Sequence, residues 1–303
     1  MISVDVDSFD SLVRFYNLDK KEINNYDPVY QKAIPRYLEL FDEFGIKATF
    51  FIVAEDCKNA QNVNIIKKLK EKGHEIANHS LNHKFAFSLL SGNEKTQDIQ
   101  RSTEAIEASC GVRPVGFRVP GYDVDGETVD ILEENGYLYD SSVYKFSIYP
   151  ILRRLSYLKI GHIQKREAFK KMPAELACAT FSPMQKYYPE KKRIWKKGEK
   201  REIVEIPLSV TPYLSIPFNS TFLFLFGNKL FDLGLWFTKK ANMNLNYNFH
   251  STDMLSSVDD KLYIKHPGSN LKIDRKISIF RQILNKIKEN YNLITLEAFA
   301  RER

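Results

Sequence analysis

Cysteine is scarce in this chain of 303 residues, which contains three, at positions 57, 110 and 178. Three widely separated cysteines form neither a disulfide framework nor a zinc knuckle, and they suit a reducing compartment. Glycine (13) and proline (12) are also few, and 43% of the residues are hydrophobic. This composition excludes fibrous and disordered proteins, and the length is sufficient for a large buried core.

No segment has the pattern of a secretory signal or of a membrane-spanning helix. The first seven residues have the pattern of a buried strand that ends in carboxylates, which leaves no room for a basic and then apolar leader. Residues 216–237 are strongly apolar, but Asn219, Asn228, Lys229 and Asp232 interrupt them. We therefore predict a cytoplasmic protein in which 216–237 form a core helix or, alternatively, contact a membrane surface.

The net charge of +7 is concentrated in one part of the chain. Residues 153–202 contain 15 lysines and arginines and 5 acidic residues, so their excess of positive charge is larger than the net charge of the whole chain. A protein that binds nucleic acid through a diffuse positive charge would not show this pattern, so we predict no nucleic-acid partner. The basic segment could face anionic lipid or a phosphate-bearing substrate, or it could simply be solvated.

Predicted strands and helices alternate along most of the chain. Strands are predicted at 1–7, 46–54, 74–78, 115–118, 137–140, 245–249 and 293–296, and helices at 28–44, 62–72, 93–109, 126–135 and 275–290. This alternation predicts parallel βαβ units in an α/β barrel or an open doubly wound sheet. From 143 to about 217, prolines and basic and aromatic residues interrupt the alternation, which predicts an insertion.

Two carboxylates and two histidines are the first candidates for chemistry. Asp5 and Asp7 share one face of the first strand. His79 and His83 are four residues apart just after a strand, so a helical turn would point both imidazoles in one direction. Two neutral imidazoles and one carboxylate form the three-ligand centre that is typical of hydrolytic zinc sites. If these segments meet, the remaining carboxylate can act as a base in a metal-dependent hydrolase.

Arg118 is the next candidate, because it ends an apolar strand just before a Pro-Gly turn. A buried arginine requires an anion, and Asp5 is the obvious one. The turn that follows could direct backbone N–H groups into the site. Asp140 ends another strand, where it is either a carboxylate that supports the site from behind or only a turn cap.

His250 follows a hydrophobic strand and is a candidate general acid, which Asp253 could orient. His266 is the alternative candidate for that role. Nucleophilic serine chemistry fits less well, since the chain has no G-x-S-x-G turn.

In this order, these segments resemble the polysaccharide deacetylase family, which is carbohydrate esterase family 4 with its NodB-type homology domain. The resemblance rests on residues 3–8, His79-Ser80-Leu81-Asn82-His83, Arg118-Val119-Pro120-Gly121-Tyr122, residues 139–142 and Asn248-Phe249-His250. Val6 separates the two aspartates, as in a subset that includes peptidoglycan deacetylases, allantoinase-like amidohydrolases and lipid-linked sugar deformylases.

The resemblance implies a role for each candidate residue. The implied ligands of one divalent metal, usually Zn²⁺, are Asp7, His79 and His83. Asp5 would be the general base, with Arg118 as its tuning partner, and His250 would be the general acid. The oxyanion donor would be a backbone N–H near Gly121 or Tyr122.

The resemblance also implies the fold and the reaction. It implies one catalytic domain over residues 1–303 with a distorted (β/α)7-type barrel, while the insertion at about 143–243 lies outside the family's motifs. We predict a cytoplasmic zinc-dependent N-deacetylase of an amino-sugar glycan or lipid-linked sugar, with a possible peripheral contact at the inner membrane face. The alternatives are a deformylase, a cyclic-amide or ureide amidohydrolase, and a catalytically silent glycan-binding module.

Overall fold

A computed structural model describes residues 1–11, 27–84, 86–145, 179–259 and 268–302 of the chain. The strands in these residues are β1 (Ile2–Val6), β2 (Thr49–Ile52), β3 (Glu75–Asn78), β4 (Gly116–Phe117), β5 (Tyr139–Asp140), β6 (Val204–Glu205) and β7 (Tyr247–His250). All neighbouring strands are parallel, and their order in the sheet is β6-β5-β4-β3-β2-β1-β7. The sheet curls into a half-barrel, which confirms the predicted distorted barrel with seven strands.

Helices connect most of these strands and pack on the outside of the sheet. They are α1 (Ile34–Phe44), α2 (Ala60–Glu71), α3 (Gly92–Cys110), α4 (Gly126–Glu134), α5 (Ser220–Lys240), α6 (Ile273–Asn290) and α7 (Leu296–Arg301). The sequence marks several of their ends. Ser91 and Glu94 form a reciprocal capping box at the start of α3, and Gly45 ends α1 in the left-handed conformation that glycine adopts without strain.

The two faces of the central strands have different chemistry. In β1, Val4 and Val6 pack into the hydrophobic core on the outer side of the sheet, where Phe249 of β7 contacts Phe280 of α6. Ser3 and Asp5 alternate with these valines and therefore point into the barrel. Polar side chains thus line the inside of the barrel toward the ends of the strands, where we expect the site.

The segment predicted as an insertion contributes to the barrel itself. Strand β6 pairs with β5 in the main sheet, and the backbone of Ser209 donates to Asn246 O at 3.2 Å, which links the chain after β6 to the chain before β7. Residues between β6 and α5 therefore lie across the open side of the half-barrel. Residues 146–178, which include much of the basic stretch, lie outside the described residues.

Two local predictions need correction. The strand predicted at 293–296 is wrong, because helix α7 begins at Leu296 and Thr295 caps it through its side chain. The helix predicted from residue 28 is present, but its first part, Val29–Ala33, is a π-helical turn before α1. None of the helices in the described ranges is long and apolar enough to cross a membrane.

Candidate metal centre

Three of the predicted residues converge at the ends of β1 and β3. The Nε2 atoms of His83 and His79 lie 3.0 and 3.7 Å from Oδ1 of Asp7. Donor atoms of these three side chains all lie within 4.8 Å of one another. A tetrahedral ion about 2.0–2.2 Å from each donor would hold the donors about 3.4 Å apart, so the spacing fits a zinc-sized ion.

The loop between the two histidines differs from the predicted helical turn. Ser80 and His83 have positive φ angles of 70° and 55°, and residues 79–83 are not helical. The N–H of Ser80 donates to Asn78 Oδ1 at 2.9 Å, and the N–H of His83 donates to Ser80 Oγ at 3.0 Å. These side-chain turns hold the loop, because Asn and Ser side chains compete with helical hydrogen bonding.

Hydrogen bonding fixes the tautomer of His79. Its Nδ1 lies 2.7 Å from the carbonyl oxygen of Arg118, and a carbonyl can only accept, so Nδ1 carries the hydrogen. Nε2 then keeps its lone pair and faces Asp7. A backbone carbonyl that fixes the tautomer of a ligand histidine is common at zinc sites.

The charge states of the other two donors also suit a cation. Burial lowers the pKa of His83 and so favours its neutral form, although Asp7 opposes this shift. For Asp7, burial would raise the pKa, but His83 and His79 outweigh burial and hold it well below its usual value. Its Oδ1 is buried and makes no well-formed hydrogen bond to any described residue, which leaves it available to a metal.

Asp5 is held apart from this triad by a buried ion pair. Nη1 of Arg118 donates to Asp5 Oδ1 at 2.6 Å, and the arginine side chain is fully buried above the ring of Phe51. Burial raises the pKa of Asp5, but Arg118 outweighs burial and keeps it below its usual value. The two aspartates therefore have different surroundings, and only Asp7 contacts the histidines.

Asn248 is a site residue to which the sequence analysis gave no role. Its Nδ2 donates to Asp5 Oδ2 at 3.0 Å and to the Tyr122 hydroxyl at 3.1 Å, while its Oδ1 accepts from Arg118 at 2.7 Å and from Ser3 at 2.8 Å. It thus connects the carboxylate, the guanidinium and the phenol. Its place two residues before His250, on the same face of β7, was the available signal.

Tyr122 contributes its side chain rather than its backbone. The hydroxyl donates to Asp5 Oδ2 at 3.2 Å, whereas the backbone N–H already donates to Val119 O at 2.9 Å. That N–H is therefore already bound within the turn, while an oxyanion donor near Gly121 or Tyr122 stays a prediction. Gly121 has a φ of 63° in this turn.

His250 lies near Oδ2 of Asp5, whereas Arg118 contacts Oδ1. Its Nε2 is 3.8 Å from Asp5 Oδ2 and 3.5 Å from the Tyr122 hydroxyl, and 24% of its side chain is exposed. Burial lowers its pKa, but Asp5 and Asp7 outweigh burial and raise it above the usual value, which suits a proton donor. Asp253 accepts a hydrogen bond from the backbone N–H of His250 at 2.7 Å, so it orients the backbone of His250 rather than the imidazole ring. The alternative acid, His266, lies outside the described residues.

Asp140 lies deeper in the barrel and is fully buried. Its Oδ1 accepts from Ser142 Oγ at 2.6 Å, and Ser142 Oγ in turn accepts from the N–H of Val119 at 2.8 Å. Burial raises the pKa of Asp140 and also the pKa of the neighbouring Glu205. Asp140 is therefore connected through Ser142 to the backbone that follows Arg118.

Comparisons with known proteins point to one family. The sequence model of the polysaccharide deacetylase family matches residues 18–139. A peptidoglycan deacetylase-like protein of Gibberella zeae is 34% identical over 114 residues, which are 37% of this chain and 32% of that protein. A peptidoglycan-N-acetylglucosamine deacetylase of Bacillus cereus is 29% identical over 111 residues, which are 37% of this chain and 49% of that protein.

The fold likeness extends over a larger part of the chain. A Mycobacterium smegmatis protein described as a polysaccharide deacetylase superposes with a TM-score of 0.61 at 16% identity, covering 99% of this chain and 87% of that one. At such low sequence identity, the superposition shows only that the two folds are alike. The chain aligns with about a third to a half of the length of the curated relatives it matches.

Proposed function

We propose that the chain is a zinc-dependent N-deacetylase of an amino-sugar glycan or lipid-linked sugar, and the match of residues 18–139 to the sequence model of the polysaccharide deacetylase family supports this proposal. The observation that carries this proposal is the separation of the two aspartates: Asp7 faces two histidines, and Asp5 faces Arg118. A hydrolase needs both a metal ligand set and an independent base. A silent glycan-binding module would need neither.

The residues of the site divide the work of amide hydrolysis. A divalent ion held by Asp7, His79 and His83 would polarise the amide carbonyl and lower the pKa of the attacking water. Asp5 accepts the proton of that water, while Arg118 keeps the carboxylate ionised and oriented. His250, protonated at Nε2, donates to the departing amine.

Cellular location and substrate presentation are further parts of the proposal. The small number of widely separated cysteines favours the cytoplasm. The apolar segment before and within α5, together with the basic stretch, favours a peripheral contact at the inner membrane face. A substrate with a lipid carrier would be presented at that face.

Paired substitutions at the two aspartates test the proposal. We expect Asp7→Asn to reduce bound zinc to a small fraction of one ion per chain, because an amide is a poor replacement for a carboxylate ligand. Asp5→Asn should retain its zinc and lose about 100-fold or more in acetate release, as expected for the removal of a general base. Metal analysis and acetate release from N-acetylated sugar oligomers measure the two effects.

Asp42→Asn is the matched control, because Asp42 is a surface aspartate that pairs with Lys72. It should match the wild-type protein in both assays. A wild-type protein that binds no zinc, or an Asp5→Asn protein with full acetate release, would contradict the proposal. Formate release from a formylated amino sugar, or turnover of a ureide, in place of acetate release would assign the same site to the alternative amidohydrolases.

A further inference from the structure

We propose that one side of helix α5, with the turn that precedes it, docks onto an anionic lipid bilayer beside the mouth of the candidate site. We call this side the docking surface. It consists of Tyr213, Leu214, Leu225, Phe226, Lys229, Leu233, Trp236 and Lys240.

The docking surface exposes large apolar side chains where a surface helix normally carries polar ones. Its apolar members are between 48% and 87% exposed, whereas Leu223, Phe231 and Leu235 on the opposite side of the helix are buried. The helix therefore has two apolar faces, and the described residues cover only one of them. Exposed apolar groups clustered in this way indicate a binding surface rather than ordinary surface variation.

Lysines lie at both ends of the row that Leu233 and Trp236 form along the helix. Lys229, Leu233, Trp236 and Lys240 follow a spacing of four, three and four residues, which places them in one row along the helix. Nζ of Lys240 lies 4.9 Å above the Trp236 ring. The neighbouring acid Asp232 is paired with Lys286 on α6 and does not interrupt the row. Apolar groups framed by cations match the interface of a bilayer that carries anionic headgroups.

The same charges argue against a second copy of the chain as the occupant. In a two-fold symmetric contact between antiparallel helices, Lys229 of one copy would lie near Lys240 of the other. Like charges facing each other across an interface oppose association. Tryptophan and tyrosine, in contrast, are the side chains that settle at the depth of lipid headgroups.

The docking surface is connected to the candidate site through the start of α5. Asn219 caps this helix and donates to the Tyr144 hydroxyl at 3.0 Å. The Tyr144 ring lies 5.1 Å from that of Tyr122, whose hydroxyl reaches Asp5. Beside the non-helical Gly227, the helix borders a small groove that is lined in part by Ile216, Pro217, Phe222 and Leu230. A sugar on a lipid carrier could thus reach the site while its carrier remains near the bilayer, an extension that rests on the proposed function.

Vesicle co-sedimentation of the full chain tests the docking surface. We expect binding to vesicles of phosphatidylcholine with phosphatidylglycerol, and much weaker binding to phosphatidylcholine alone. The double substitution Leu233→Ser with Trp236→Ser should weaken binding about tenfold or more, because it removes most of the apolar area in the central row. Lys229→Gln with Lys240→Gln should remove the preference for the anionic lipid.

Tyr188→Ser is the matched control. Tyr188 is 48% exposed and follows Tyr187, which pairs with Glu205 of β6 at the edge of the sheet opposite β7. The Tyr188→Ser protein should bind vesicles as the wild type does. Wild-type protein that stays in the supernatant would overturn the proposal, and so would a Leu233→Ser, Trp236→Ser protein that binds normally. A dimer in ultracentrifugation that this double substitution dissociates, without vesicle binding, would assign the surface to a second copy. These readouts include neither zinc nor acetate, so failure here is distinguishable from failure of the proposed function.

Discussion

Replacement of Arg118 by methionine should destabilise the protein far more than the loss of a typical surface charge. The guanidinium is fully buried and donates to Asp5, Ser3, Asn248 and Ser141. Arg118→Met would leave the Asp5 carboxylate buried without its cation. Removing one partner of such a pair costs about 3–5 kcal/mol, and most of that cost is the stranded charge.

The double variant separates the stranded charge from the lost packing. Asp5→Asn alone should cost about 1–2 kcal/mol, because Arg118 keeps its neutral acceptors. When both partners are removed, no charge is stranded, so the combined cost should fall short of the sum by about 2 kcal/mol. Urea unfolding of the wild type, both single variants and the double variant, with a chelator present to remove any metal contribution, measures this coupling. Additive costs would refute the reasoning that Arg118 and Asp5 stabilise each other as a buried ion pair.

Two further predictions concern the scaffold. Burial lowers the pKa of His74 to about 4, and its Nδ1 accepts from the N–H of Ala48 at 3.1 Å, so the neutral form is the folded one. As the pH falls below about 6.5, the unfolded chain binds a proton at His74 before the folded protein does. Between pH 7 and about pH 4.5 the wild type should therefore lose about 2 kcal/mol of stability, which His74→Asn should retain. Urea unfolding at the two pH values measures the difference. Gly116→Ala should cost about 3 kcal/mol, because a Cβ there would lie 2.0 Å from Cζ of the buried Tyr139, and an unchanged melting temperature would contradict this close approach.

Local patterns in the sequence predicted the elements that carry their own signals. The apolar spacing of α1, the Ser91 and Glu94 cap of α3 and the buried strand β1 each depend on residues that are near one another in the chain. The order of the acidic, histidine and arginine motifs indicated the resemblance to the polysaccharide deacetylase family, because each motif is short and depends on residues that are near one another. The roles of the individual site residues remain predictions until they are measured.

No local sequence pattern predicted the contacts between distant segments. Asn248 connects Asp5 with Tyr122 only because β7 lies next to β1, although 243 residues separate Asn248 from Asp5. The 79–83 loop is not a helix, because Asn78 and Ser80 satisfy its backbone through their side chains. Both outcomes depend on geometry that a pattern of apolar and polar residues does not encode.

The sequence by itself determined the alternating α/β architecture, the strand that delivers Asp5 and Asp7, and the identity of the metal-ligand candidates. Periodicity and motif spacing are enough for these, because they reflect local backbone geometry. Only the tertiary structure decided which aspartate faces the histidines and that Tyr122 offers its hydroxyl rather than its N–H. It also showed that the described residues leave one apolar face of α5 exposed. Those outcomes depend on which strands become neighbours when the sheet curls, and on which surfaces the rest of the chain leaves to its surroundings.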